Sequence, residues 1–140
     1  MHLKASLNDL PIDKLKMLNR MINHSKLLVE KVFYDQKKGI ISIPIERHEM
    51  PPSDSILVNI MAFFKSSKIE AARIKSKIII KKVDRCRIVK HLEKNSKIEI
   101  LFGLLIKENS IYICSAEEAK GVTCYELEAA VKAIDIEVSP

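Results

Sequence analysis

The sequence predicts a mainly β fold, an antiparallel β-sandwich or open barrel of about seven to eight strands with one N-terminal amphipathic helix. Three observations carry this expectation. Apolar residues recur at every second position in several separate stretches, the period of a strand with one buried face. Only residues 9–24 keep a helical period. The chain also has just three Gly, which argues for long, coiled or bulged strands over tight two-residue hairpins throughout.

The helix comes first. Leu10, Ile12, Leu15, Leu18, Met21 and Ile22 form its apolar stripe, and Asp13, Lys14, Lys16, Asn19 and Arg20 fill the other face. Asp9 is the expected N-cap, with Pro11 tolerated in the first turn because its missing N–H would have no intrahelical partner there. A helix this short needs a core to dock on.

Leu27 to Tyr34 is a β-rich run, and Asp35-Gln36-Lys37-Lys38-Gly39 a polar turn closed by a Gly suited to positive φ. Ile41, Ile43 and Ile45 then alternate with Ser42, Pro44 and Glu46, completing a hairpin. Pro44 has no N–H to donate, which places its strand at an edge or at a bulge. Pro51-Pro52 marks a loop, and the apolar run 56–64 favours a strand, with a buried helix as the alternative.

Ala72, Ile74, Ile78 and Ile80 fall on one parity, and Arg73, Lys75, Lys77 and Lys81 on the other; Cys86 and Ile88 oppose Arg85 and Arg87 in the next strand. Ile98 to Ile106 alternates with Leu101 and Leu105 opposite, the pattern of a central strand buried on both faces. Ile111 to Cys114 returns after a polar turn. Residues 117–138 favour strand, with helix over part of 117–133 as the alternative; the parity flips between Val131 and Ile134, as one bulge would produce. The 140 residues, 47% hydrophobic and 30% charged, fit a single domain, 1–140, with a β-rich body over 27–138.

Charge is unevenly spread. The net is +2 over residues 1–64, +9 over 65–97 and −5 over 98–140. On a hairpin spanning 73–87, the outward cations Arg73, Lys75, Lys77, Lys81, Arg85 and Arg87 would share one face and repel one another. Two arrangements relieve that. Glu126, Glu128, Asp135 and Glu137, outward on the C-terminal strand, would pair with them across the ladder; or a nucleic acid or other polyanion would bind them. The first is preferred, because no stacking aromatic lies between Phe64 and Phe102.

Chemistry is sparsely provided. Cys86, Cys114 and Cys124 match neither a metal knuckle nor a disulfide scaffold. His48 beside Glu49, and His91 near Glu93, place imidazole near carboxylate without a nucleophile motif, and the isolated glycines form no phosphate-cradling loop. Met61, Phe63 and Phe64 are read as core packing in preference to a cavity lining. No apolar run approaches the roughly 20 residues of a membrane-spanning helix, and the N-terminus lacks a secretory h-region. The expectation is therefore a cytoplasmic, non-enzymatic binding or interaction module that self-associates, without cofactor, metal or membrane partner. The alternative is polyanion binding through the basic hairpin.

Overall fold

The computed structural model describes residues 1–48, 73–90, 98–117 and 123–139. They form ten strands and one helix: β1 (His2–Ala5), α1 (Ile12–Ile22), β2 (Lys26–Leu27), β3 (Phe33–Asp35), β4 (Ile40–His48), β5 (Arg73–Ile80), β6 (Val83–Lys90), β7 (Ile98–Lys107), β8 (Ser110–Glu117), β9 (Thr123–Val131) and β10 (Ile134–Val138). The mainly β, sandwich-like class expected from the alternation is found, with about ten strands in place of seven or eight. The expectations for 56–64, for Met61, Phe63 and Phe64, and for the His91–Glu93 pair lie outside the described residues.

Strand order is β1-β10-β5-β4-β2-β7-β8-β9-β6, with β3 added on β4, and every pairing is antiparallel. One half comprises β1, β10, β5, β4 and β3, the other β7, β8, β9 and β6. The two-residue β2 links them. Inward residues of both halves meet in one core: Ile41, Ile43 and Ile45 of β4, Ile78 and Ile80 of β5, Ile111 and Ile113 of β8, and Leu127 and Ala129 of β9. Alternation sorts the faces, since successive side chains on a pleated strand point to opposite sides.

β5 and β6 are consecutive in the chain but are not paired with each other. The 73–87 segment is one run bent at Lys81-Lys82, not a hairpin. Its first half pairs with β10 and its second with β9, so 73–90 and 123–138 make a single two-stranded ribbon that turns a corner. Hydrogen bonds continue through the bend, from Lys81 N to Asp135 O (2.9 Å) and from Lys132 N to Lys82 O (3.0 Å). Lys82 takes positive φ (57°) there. The parity flip between Val131 and Ile134 is produced by this corner and not by a bulge inside one strand, and both flanking segments are strand, not helix.

Two other expectations are refined. The run from Leu27 to Tyr34 is interrupted by a 3-10 turn at Val29–Lys31 between β2 and β3. That break faces Pro44. β2 pairs with Ile45 and Glu46, β3 with Ile40, Ile41 and Ser42, and Pro44 O accepts from Leu28 N (3.1 Å). An N–H and C=O of one strand residue point the same way, so the donor that proline lacks would have pointed into the gap in the ladder. Pro44 thus sits in an interior strand at a broken pairing, not on an edge. Leu105 is 45% exposed, so β7 is central in the order without being buried on both faces.

α1 starts after Pro11, which is extended (ψ 91°), while Asp9 is held in the preceding turn by a bond from its N–H to Ser6 O; Asp9 is therefore not the cap. Leu18 and Ile22 are buried against the core, whereas Ile12, counted in the stripe, is 62% exposed. The helix is fixed by a polar contact. β7 carries two extra residues between Leu101 and Leu104 relative to β8, and Gly103 there has φ 69°. The Leu104 N–H donates to Asn19 Oδ1 (2.9 Å) and Asn19 Nδ2 donates to Leu104 O (3.3 Å), so one amide side chain satisfies the backbone that the bulge leaves unpaired. At the other end of the order, His2 Nε2 lies 2.6 Å from Oδ1 of the buried Asp135, fastening β1 to β10.

A Cβ on Gly103 would lie 2.6–2.9 Å from three Asn19 atoms. Asn19→Ala leaves a buried donor and acceptor without partners and should cost about 1–3 kcal/mol; Gly103→Ala, which adds both a clash and backbone strain, should cost at least as much. Urea unfolding of the two variants and their double mutant is the measurement. Unchanged midpoints would mean that the helix is not held by this contact.

Candidate interaction surface

β6 is where the strand order ends, and the sequence explains why. β4 accompanies β5 as far as the Ile41–Ile80 pair, and Gly39 O adds one more bond by accepting from Val83 N (2.9 Å). The turn then diverts the chain. Gly39 N donates to Asp35 O (2.9 Å) and Lys38 N to the Asp35 carboxylate (3.2 Å), with Gly39 at φ 65° and a hypothetical Cβ only 2.8 Å from Val83 O. Past the level of Val83 no strand accompanies β6 on this side, because β3 lies before the turn and runs along β4; among the described residues β6 pairs with β9 alone and keeps its other edge open. Tyr34 OH reaches Asp84 O (3.5 Å), closing the near end of the gap.

An open groove of about 600 Å³ lies over the outer face of β6 and its neighbours, lined by Arg85 and Arg87 of β6, Glu128 and Ala130 of β9 and Ser110 of β8, with Tyr34 and Gln36 at its end. Arg85, Arg87 and Lys90 are exposed, and so is Ile88, at 37%, although its parity turns it toward the core side of the sheet. Phe33, on the facing edge strand β3, is 63% exposed.

The six cations singled out in the sequence do not share one face. Arg73, Lys75, Lys77 and Lys81 lie on or beside β5 in one half; Arg85 and Arg87 lie on β6 in the other. Registered carboxylates interleave with them. Lys75 is opposite Glu46, which is opposite Lys26; Arg87 is opposite Glu128; Lys81 Nζ is 3.7 Å from Glu137. Asp84 is met by Lys132 at 3.5 Å, and Arg73 donates to the carbonyls of His24 (2.9 Å) and Glu46 (3.3 Å). Of the four C-terminal carboxylates expected outward against these cations, Glu128 and Glu137 lie against Arg87 and Lys81, whereas Glu126 is opposite Val89 and Asp135 is buried against His2.

Three β6 cations are left over, Lys90, opposite Tyr125, among them. Arg85 is opposite Ala130, and the Glu128 carboxylate facing Arg87 accepts from Tyr112 OH (3.2 Å). Among the described residues neither guanidinium has an ion pair within 4 Å. Composition signalled the arginines, but Tyr34 and Gln36 join them only through the long-range closure at Gly39, which leaves no local signature.

Cys86 also borders the groove, and burial pushes its thiol pKa up; Cys114 is pushed up by burial and then by Glu126. Both are free thiols, protonated at neutral pH and so poor nucleophiles. Among the described residues no group of three or more His, Cys, Asp or Glu is placed to hold a metal ion, and no helix is long and apolar enough to cross a membrane. Comparison with protein-family models, curated proteins and solved structures finds no match for this chain.

Behind β6, Tyr125 of β9 is 1% exposed and its hydroxyl has no hydrogen-bond partner among the described residues. Burial, reinforced by Cys86, pushes its pKa from 10.0 up to about 12. The folded state resists ionisation here, so the associated stability is complete below pH 10.0 and is lost as pH rises toward 12. The loss should approach about 3 kcal/mol. Tyr125→Phe should be neutral or stabilising at pH 7 and should flatten that alkaline decline, as read by urea unfolding from pH 8 to 12. An equally steep decline in the variant would assign the pH dependence to other groups.

Proposed function

We propose that this chain is a non-enzymatic binding module that takes an extended polypeptide along the open edge of β6. The observation that carries the reading is the eight-residue strand that, among the described residues, is paired on one side only and bears exposed side chains on both of its faces. Unpaired backbone N–H and C=O groups are a template for strand addition, and the alternating side chains beside them supply selectivity. Self-association through the same edge is disfavoured. With two antiparallel copies centred on Cys86 or on Arg87, Arg87 of one would face Arg85 or Arg87 of the other, and like charges facing across a ladder destabilise it.

The open edge has a direct check. In the free protein, hydrogen exchange should be faster at β6 amides than at those of β8, which is paired on both sides. Light scattering should give a monomer at micromolar concentration. A pool of heptapeptides alternating polar and apolar residues, of either charge, should slow exchange at β6 selectively. The reading falls if β6 is already fully protected in the monomer, or if no peptide at millimolar concentration protects it.

Polyanion binding is a second reading, supported by Lys75 and Lys77, exposed one parity step apart on β5. With Lys75 and Lys81 already facing carboxylates, few counterions remain to be released, so affinity for duplex DNA should be weak and should vanish by physiological salt. A titration at two salt concentrations decides it, with Lys75, Lys77 and Lys81→Glu as the control. Tight binding that the triple variant abolishes would overturn the ordering of the two readings.

A further inference from the structure

Resting on the edge reading above, we propose that the segment recognised by β6 is an extended strand alternating acidic with apolar residues. The neighbour that β6 already has shows what its side chains accept. On β9, Glu128 is opposite Arg87 and Glu126 opposite Val89 on the outer face, while Leu127 is opposite Ile88 and Ala129 opposite Cys86 on the inner face. Side chains of a strand line the same two faces whichever edge is approached, so a strand on the free side meets the same alternation. On the outer face it finds Arg85 and Arg87, with no carboxylate within ion-pair distance among the described residues. On the inner face it finds Ile88, 37% exposed, whose cover by β9 is incomplete.

Charge selects among the candidate occupants. Glu128 is held by Tyr112 (3.2 Å), and Asp84 at the closed end of the groove is met by Lys132 (3.5 Å), so the open length of the edge presents net positive charge. A partner with lysines at the outward positions would be repelled, and a second copy of β6 would add its own cations. An acidic–apolar strand would pair Glu with Arg85 and Arg87 and place an aliphatic residue over Ile88, with the unpaired backbone of β6 taking up its hydrogen bonds.

The test uses the full chain and three labelled heptapeptides: Thr-Val-Glu-Leu-Glu-Val-Thr and its counterparts with Gln or Lys in place of both Glu. Fluorescence anisotropy gives affinity, and hydrogen exchange gives location. The acidic peptide should bind roughly five- to tenfold more tightly than the Gln form, the effect of two opposite-charge cross-strand pairs, and should protect β6; the Lys form should not bind measurably. Arg85→Gln, which removes the charge without setting a second carboxylate beside Glu128 on the same face, should remain folded and should weaken the preference for the acidic peptide. Equal binding of all three peptides with β6 protected would overturn the acidic specificity while leaving the edge reading intact. Failure of any peptide to protect β6 would overturn both. Protection of β6 accompanied by a dimeric mass would identify a second copy as the occupant and overturn the proposal.

Discussion

The bend shared by residues 81–82 and 132–133 is the constraint from which the rest of the architecture follows. Two strands that turn together keep their ladder: Lys81 N to Asp135 O and Lys132 N to Lys82 O bridge the corner at 2.9 and 3.0 Å. The ribbon therefore contributes β5 and β10 to one half of the body and β6 and β9 to the other while remaining a single pairing. Once that corner exists, β1 and β4 can only add outside β10 and β5, and β8 only outside β9. Among the described residues, the strand in line for the far side of β6 is a continuation of β4, and the turn at Asp35–Gly39 sends the chain the other way. The open edge is a product of the same geometry that builds the core.

Alternation made most of the body legible. Strict period-two patterns such as Ile41, Ile43 and Ile45, or Ile78 and Ile80, specify which face is buried whatever the neighbour is, because pleating alone decides it. Neighbour choice was not legible. Consecutive segments joined by two residues read as a hairpin, and nothing local distinguishes a reversal from a corner; Lys82 at positive φ carries no glycine to mark it. The break opposite Pro44 was half legible. Proline announces a missing donor, but whether an edge or a gap in the ladder accommodates it depends on a partner strand distant in sequence.

The helix teaches a related lesson about polar residues. Asn19 reads as part of a solvated face, yet its amide is what fastens α1 to the bulge of β7, by two bonds to Leu104. Its partner signal, Gly103 within an otherwise apolar strand, was present in the sequence as an isolated glycine, the usual mark of a bulge or a close backbone approach. Joining the two requires knowing that the helix crosses that strand. Ile12, apolar and at helical spacing, instead lies in the first turn and stays exposed.

The candidate surface follows the same division. The concentration of cations over 65–97 and of carboxylates over 98–140 was plain in the composition, and the register turns much of it into neighbouring strands. What composition could not give is the remainder after pairing: Arg85, facing an alanine, Lys90, facing Tyr125, and Arg87, whose cross-strand carboxylate is engaged by Tyr112. Charges on an edge strand oppose pairing between identical copies, since each copy brings the same sign to the seam. That repulsion is not indifferent to sequence. On the proposed reading, an edge defended by cations disfavours basic strands and favours acidic ones, so a device that opposes propagation would also set the chemistry of the strand it accepts.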